Sequence, residues 1–285
     1  MIISNYKKSI FSKRMLFHTF KRFFVIFGVV SGVVGLVAAL DPSVVQYGLP
    51  AFLGLTGSIL LLSFILELPK RTISHSFSHP DMRITVKVGN LLEQREHLVI
   101  GFSDTFDTEI GEIINANSLQ GKFLSSLYNY DRTRLDRDLD LALHGESFEV
   151  DSTKTVGKNK RYKIGTTVAI PGENRKFFCC AYSYMKSDLR ATSDIDNLWI
   201  SLQSIWAKVR HDGEQKTLVM PVVGTSLARV PGISFALPLK LVLLSFLVNS
   251  RIECIAKELI IVIREEDVEK VNLLEVEDYI KSLQN

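Results

Sequence analysis

Two long apolar runs dominate the first quarter of the chain. Phe23 to Leu40 holds 18 residues without a charge, and Pro42 to Leu66 holds a further 25. A helix needs roughly 20 mostly apolar residues to cross a hydrocarbon core, so the pattern predicts two spans, with Asp41 and the stretch from Pro42 to Gly48 as the turn between them. Six Lys or Arg and no acid precede the first run, Lys70 and Arg71 follow the second, and the turn carries no base. Positive flanks stay inside, which predicts a hairpin anchor with both termini cytoplasmic. A basic start with Ala38 and Ala39 also fits a secretory signal peptide, but the second run and its basic stop favour the hairpin. Gly28, Gly32 and Gly35 share one helical face, and Gly28-Val-Val-Ser-Gly32 is a small-xxx-small pattern. Such a face lets helices approach closely, either within one chain or between chains. Neither run contains a charge, which argues against a selective charged pore.

Residues 69–81, with Pro69, three serines, two histidines and Pro80, read as a linker. Beyond it the periodicity alternates between 2 and 3.6. Strands are predicted over Arg83 to Val88, His97 to Phe102, Tyr162 to Ile170, Lys176 to Ser183, Thr217 to Val222 and Glu258 to Ile263. Pro171-Gly172 is expected to be the turn between the third and fourth of these. Helical spacing covers 118–128, 132–143, Asp194 to Arg210 and Leu274 to Leu283. Ile233 to Asn249 is apolar nearly all round. Its length of 17, Pro238 and Lys240 favour a helix buried in a core over a third span. Alternating strands and helices imply an α/β domain with a mixed, largely parallel sheet. The organisation expected is therefore a basic segment 1–22, two transmembrane helices within 23–68, the linker 69–81 and a globular domain 82–285.

Charge sharpens this division. Residues 1–71 carry eight bases and two acids, a net of +6. The whole chain is +3, which leaves −3 for residues 72–285. The globular domain thus lacks the basic surplus of a nucleic-acid binder, and none is expected as a partner. Cys179, Cys180 and Cys254 give neither a disulfide framework nor metal-ligand spacing. The first two adjoin in a strand-like run, so they are expected on opposite faces as buried free thiols. His75 and His79 stand four apart, but their surroundings are not helical, and no metal is expected. None of the six histidines sits beside a plausible nucleophile.

Two loops carry the candidate chemistry. Residues 221–232, PVVGTSLARVPG, follow an apolar strand and precede a long helix. A glycine-rich loop at such a junction aims backbone N–H groups at an anion; an ordinary strand-to-helix turn is the alternative. Gly224 permits close approach, Thr225 and Ser226 offer hydroxyls, Leu227 and Ala228 continue the loop, and Arg229 offers a positive fork to phosphate. No Gly-Lys-Ser/Thr follows, so this is not a Walker loop. The second loop, GFSDTFDTEIG at 101–111, leaves the carboxyl end of a core strand, where ligands bind open α/β sheets. Its candidates are Gly101, Phe102, Ser103, Asp104, Asp107 and Thr108. Asp104 and Asp107 suit ribose hydroxyls or an amine, or else serve as solvated loop acids and helix caps. Ser118 and Gly121 open the next helix as a second phosphate contact or as a cap.

In this order the pieces resemble a macro domain, the ADP-ribose-binding α/β/α fold, over roughly residues 82–285. Where the family has Gly-Asp-Ile, with the Asp meeting adenine, this chain reads Gly89-Asn90-Leu91, which makes Asn90 the corresponding candidate. Gly101-Phe102-Ser103-Asp104 takes the place of the family's Asn-Ala-Ala-Asn loop, and Asn115-Ala116-Asn117 imitates that motif about a dozen residues later. The block 164–183 and the loop 221–232 look like the family's central hairpin and phosphate loop. With two N-terminal spans added, the combination resembles the ThsA effectors of type II Thoeris antiphage systems. That resemblance implies a non-catalytic reader without cofactor, sited in the inner membrane. Its ligand is an ADP-ribose conjugate, of histidine, made by a partner TIR-domain protein. Self-association among membrane lipids and membrane damage then kill the cell. The missing Asn-Ala-Ala-Asn and Gly-Gly-Gly runs separate this reading from a membrane-tethered ADP-ribosyl hydrolase. A structural membrane protein with an empty macro fold is the third reading.

Overall fold

The computed structural model describes residues 13–41, 43, 48–66, 70–224 and 234–284. The chain divides into two compact units, Met1–Lys70 and Arg71–Asn285.

The first unit contains helix α1, Lys13–Leu40, and helix α2, Gly48–Leu66. Thr19–Leu40 and Gly48–Leu66 are long and apolar enough to cross a membrane, with mean hydropathies of 2.6 and 2.1. α1 begins ten residues before the uncharged run, because Lys13 to Arg22 includes no Gly or Pro and continues the helical pattern. The rings of Phe27 and Phe52 meet edge-on at 6.3 Å between the helices. Two hydroxyls within α2 are satisfied locally, Ser58 by the Gly54 carbonyl and Ser63 by that of Ile59. A Cβ built at Gly28, Gly32 or Gly35 meets nothing within 4 Å. Packing within the chain, one of the two uses open to that glycine face, is not made among the described residues.

The second unit is a three-layer α/β/α sandwich. Its strands are β1 Thr72–Ser78, β2 Asp81–Val88, β3 His97–Ser103, β4 Phe148–Val150, β5 Lys160–Tyr162, β6 Thr167–Gly172, β7 Arg175–Met185, β8 Ala191–Thr192, β9 Leu218–Pro221 and β10 Glu258–Ile263. The main sheet runs β1-β2-β10-β9-β3-β7-β6, with β8 paired to β7, while β4 and β5 form a separate ribbon. The inner five strands, β2 to β7 in that order, are mutually parallel, and the edges are antiparallel.

Helices α3 Leu119–Leu127 and α4 Arg132–Ala142 cover one face. Helices α5 Ile195–Asp212, α6 Ala236–Ile252 and α7 Leu273–Ser282 cover the other. The expected burial of the helix near 233–249 holds for α6, which buries eight residues from Pro238 to Ser250. Lys240, partly buried on this helix, lays its ammonium over the Tyr279 ring at 5.3 Å. α5 packs on α6 through Trp206, whose indole N–H donates to Ser245 at 3.0 Å and whose ring meets Phe246 at 5.3 Å. Cys179 and Cys180 enter opposite cores as free thiols. Burial pushes both up, Cys180 to about 11, so neither is a thiolate at neutral pH.

Three expectations are corrected. The segment read as a linker, 69–81, contains β1, an edge strand antiparallel to β2. Ile73 and Phe77 point into the core from it, and the outward Ser74 meets Thr85 at 3.0 Å. Serines on the solvent face masked a period-2 pattern that an edge strand needs on one side only. His75 and His79 accordingly lie on a strand and its turn, beside Gln284 and Ser78. The turn expected at Pro171-Gly172 lies instead at Glu173-Asn174. Pro171 and Gly172 pair with Lys176 and Arg175, and Asn174 takes the positive φ of 61° that a two-residue hairpin demands. The single strand expected over Tyr162 to Ile170 is broken at Gly165, φ 94°, where a Cβ would meet Ser204 at 2.8 Å.

Candidate functional site

The sheet topology locates one crevice. From β3 the chain leaves through α3 and α4 over one face toward β6 and β7. From β9 it leaves through α6 over the other face toward β10. Neighbouring strands whose connections depart in opposite directions make a topological switch point, and ligands of open α/β sheets bind there, beyond the carboxyl ends. The β3–β9 ladder joins only His97 and Leu98 to Leu218 and Val219. Further along, β3 pairs with β7 and β9 with β10. The ladder therefore stops short of the carboxyl ends, and the loop 104–118 and the residues Val222 to Gly224 flank the opening.

On the β9 side, Val222 and Val223 are buried and Gly224 has φ 79°. That left-handed conformation costs an L side chain about 1–2 kcal/mol, and it turns the backbone sharply at the lip of the crevice. Thr225, Ser226, Leu227, Ala228 and Arg229 lie outside the described residues. The N-cap residue of α6, Phe235, makes no side-chain hydrogen bond to the first amides of this helix.

On the β3 side, the loop is held rigidly by its own acids. Asp104 accepts from Arg161 Nη1 at 2.6 Å and from the Met185 N–H at 2.8 Å. Asp107 accepts from Lys154 Nζ at 2.9 Å, Thr105 Oγ1 at 2.5 Å and the Lys158 N–H at 2.6 Å. Lys154 completes its three donations on the carbonyls of Val156 and Lys158. The ion pair is almost wholly buried, with side chains 2% and 1% exposed. Burial alone would lower the Arg161 pKa, but the carboxylates of Asp151 and Asp104 outweigh it and raise it. Thr108 donates to Asp136 at 2.7 Å. Burial opposes the ionised form of Asp136, yet bonds from Lys158 and Thr108 prevail and hold its pKa below the ordinary value.

Asp104 and Asp107 were expected to accept from a ribose or an amine, or to be solvated loop acids and caps; the structure gives both carboxylates protein donors instead of solvent. Both carboxylates are buried and occupied by protein donors, because charges this deep need partners. They shape the loop rather than face the crevice. Phe102 is likewise core, its ring stacked on Phe106 at 5.5 Å. Phe106 has φ 47°, a conformation held by packing against Phe102 and Tyr162. The Ser103 hydroxyl meets Thr105 at 3.2 Å and is buried.

Gly101 is required by its neighbour: a Cβ would lie 2.5 Å from Tyr182 Cε1 and 2.8 Å from Cδ1. Gly101→Ala is expected to destabilise the domain by about 1–3 kcal/mol through overpacking, read as a lowered melting temperature. An unchanged melt would show that the Tyr182 ring moves aside freely. Ser118, of the two uses left open, serves as the cap of α3, accepting from the Gly121 N–H at 3.0 Å. Gly121 lets the 115–117 backbone approach, since a Cβ would sit 2.5 Å from the Asn115 carbonyl oxygen. Asn90 is exposed at the end of β2 and caps the short turn Leu91–Glu93 by accepting from the Leu92 N–H. The Gly89 N–H donates to the Ile263 carbonyl at 2.9 Å, which sets Asn90 beside the end of β10.

Sequence reasoning missed the group following β10. Asp267, buried, accepts from Arg264 Nε and Nη2 at 2.7 and 2.6 Å and from Lys270 Nζ at 2.6 Å. The two half-exposed bases therefore stand at the same carboxyl edge. The signal was present, since a charged run begins directly where an apolar strand ends. Lys154 and Arg161 were missed as well, and no spacing links them to acids some fifty residues earlier.

Known proteins resemble this chain. It is 25% identical over 182 residues to the Thoeris protein ThsA of Bacillus amyloliquefaciens (strain Y2), an alignment covering 62% of this chain and 59% of that protein. The chain thus spans less than two thirds of that relative's length. Solved macrodomains of Oceanobacillus iheyensis are also similar. One, a point mutant, matches with a TM-score of 0.49 at 10% identity, and another, with ADP, with 0.47 at 12%. Each match covers 75% of this chain and 100% of that one. The model of the family "Thoeris protein ThsA, Macro domain" matches residues 84–264, from within β2 to just past β10. The chain belongs to the ThsA macro-domain family of Thoeris proteins.

Proposed function

We propose that this protein is a membrane-anchored effector of antiphage defence whose macro domain reads an ADP-ribose conjugate made by a partner TIR-domain protein. The observation that carries the reading is the opening of the sheet at the β3–β9 switch point with Gly224 in a left-handed turn at its lip. A diphosphate suits that place, where a sharp backbone turn leads to a helix without a capping side chain. A reader without catalysis is favoured over a hydrolase because both acids of the β3 loop are buried and held by Arg161 and Lys154. Neither is available as a general base. Calorimetry on the whole chain in detergent, against ADP-ribose, NAD⁺ and the histidine conjugate of ADP-ribose, tests it. The conjugate should bind tightest and remain intact. Absence of binding by all three overturns the reading, and turnover on the order of 1 per second or faster transfers it to a hydrolase.

Ligand binding acts on the membrane by favouring an assembled state. A shift from 1:99 to 99:1 requires about 5.5 kcal/mol of differential binding. The two apolar helices are the output, and the glycine face of α1 is the surface through which chains meet. Gly28→Ile with Gly32→Ile should leave ligand affinity unchanged and abolish depolarisation in cells that contain the signal. New side chains at these positions meet nothing within 4 Å in the single chain, so the loss would report contact between chains. Depolarisation at the wild-type rate would make the helices a passive anchor.

A further inference from the structure

We infer that the amino-terminal part of α1 is a binding surface for anionic lipid headgroups. The inference rests on reading α1 as a membrane span. The helix runs unbroken through 28 residues, Lys13–Leu40, about 42 Å at 1.5 Å per residue, against about 30 Å of hydrocarbon. Its uncharged part starts only at Phe23. The preceding turns therefore continue as helix into the headgroup layer. They carry Lys13, Arg14, Lys21 and Arg22 and no acid. Arg14, Lys21 and Arg22 stand at i, i+7 and i+8 along the helix. Leu16, Phe17 and Phe20 are exposed between them, the mixture of apolar and basic groups that lodges at an interface.

The acids of the second unit give it a net charge of −3 over residues 72–285, so the basic surplus of the chain is concentrated at the membrane. A juxtamembrane base contributes about fivefold in affinity for an anionic surface. A zwitterionic surface offers no such gain. The occupant is thus an anionic phospholipid leaflet, and lipid composition sets how firmly the start of α1 is held at the surface.

The test uses the full chain with Ser12→Cys labelled by a fluorophore, in a Cys254→Ser background because Cys254 is partly exposed. The protein is reconstituted into vesicles of phosphatidylcholine alone or of phosphatidylcholine with phosphatidylglycerol, each containing a headgroup-attached quencher. Flotation with both vesicle types reports insertion of the spans. Quenching should rise several-fold with phosphatidylglycerol and fall back at high salt, where the Debye length shrinks to about 3 Å at 1 M. Lys13→Gln, Arg14→Gln, Lys21→Gln and Arg22→Gln together should remove most of the lipid difference while flotation persists. Equal quenching in both vesicles, or a difference that survives the four substitutions, overturns the inference and leaves the span intact. Failure to float with either vesicle overturns the membrane reading, and this inference with it.

Discussion

Lys154→Met is expected to lower the melting temperature of the chain by about 6–20 °C. Lys154 neutralises Asp107 at 2.9 Å with both side chains buried, and its other two protons are held by the Val156 and Lys158 carbonyls. Removing the ammonium leaves a carboxylate without its counter-charge in the interior, which costs about 3–5 kcal/mol. For a domain of this size each kcal/mol moves the midpoint by about 2–4 °C. Asp107→Asn added to Lys154→Met removes the stranded charge and should recover part of the loss. Coupling of about 0.5–3 kcal/mol between the two changes is expected. Differential scanning calorimetry of the three variants measures it. A single variant that melts with the wild type would mean that water or another cation reaches Asp107, and that the loop is not pinned by this pair.

Gly224→Glu is expected to reduce affinity for the ADP-ribose conjugate more than a hundredfold, about 2.7 kcal/mol, with the domain still folded. Two effects combine. The φ of 79° at Gly224 disfavours any side chain, and the added carboxylate sets a negative charge where the diphosphate is proposed to lie. Gly224→Ala separates them, since it carries the backbone strain without the charge and should lose less. Calorimetry gives both affinities, and a melt of each variant guards against unfolding. Unchanged affinity in a folded Gly224→Glu chain would place the ligand elsewhere.

These two predictions act on opposite sides of one crevice, and they differ in kind. Asp107 and Asp104 were attractive as ligand acceptors because acids at a strand's carboxyl end commonly face solvent. The same acids prove to be inward anchors, Asp104 for Arg161 and the Met185 amide, Asp107 for Lys154. A variant such as Asp104→Ala would therefore weaken binding by releasing the loop, and its melt should fall together with its affinity.

The sequence alone determined what depends on short-range pattern. Two uncharged runs read directly as helices long enough to span, although α1 starts at Lys13 because charge does not interrupt a helix as Pro or Gly does. Alternation and 3.6-residue spacing located the strands β2, β3, β7, β9 and β10 and the helices α3 to α7, since each buries one face or stripe against the sheet. The adjacent cysteines divided between two cores for the same reason. The turn at Gly224 was legible because a glycine that ends an apolar strand suits a left-handed conformation. Tertiary structure decided the rest. Only pairing with β2 makes the serine-rich 72–78 a strand. Gly101 owes its identity to Tyr182, eighty-one residues away. Whether a loop acid faces a ligand or a lysine depends on which distant segment packs against it, and the 151–161 stretch that supplies Lys154 and Arg161 reaches Asp104 and Asp107 only after the chain has folded back. Burial of those charges is settled by partners, and no local periodicity encodes a partner fifty residues away.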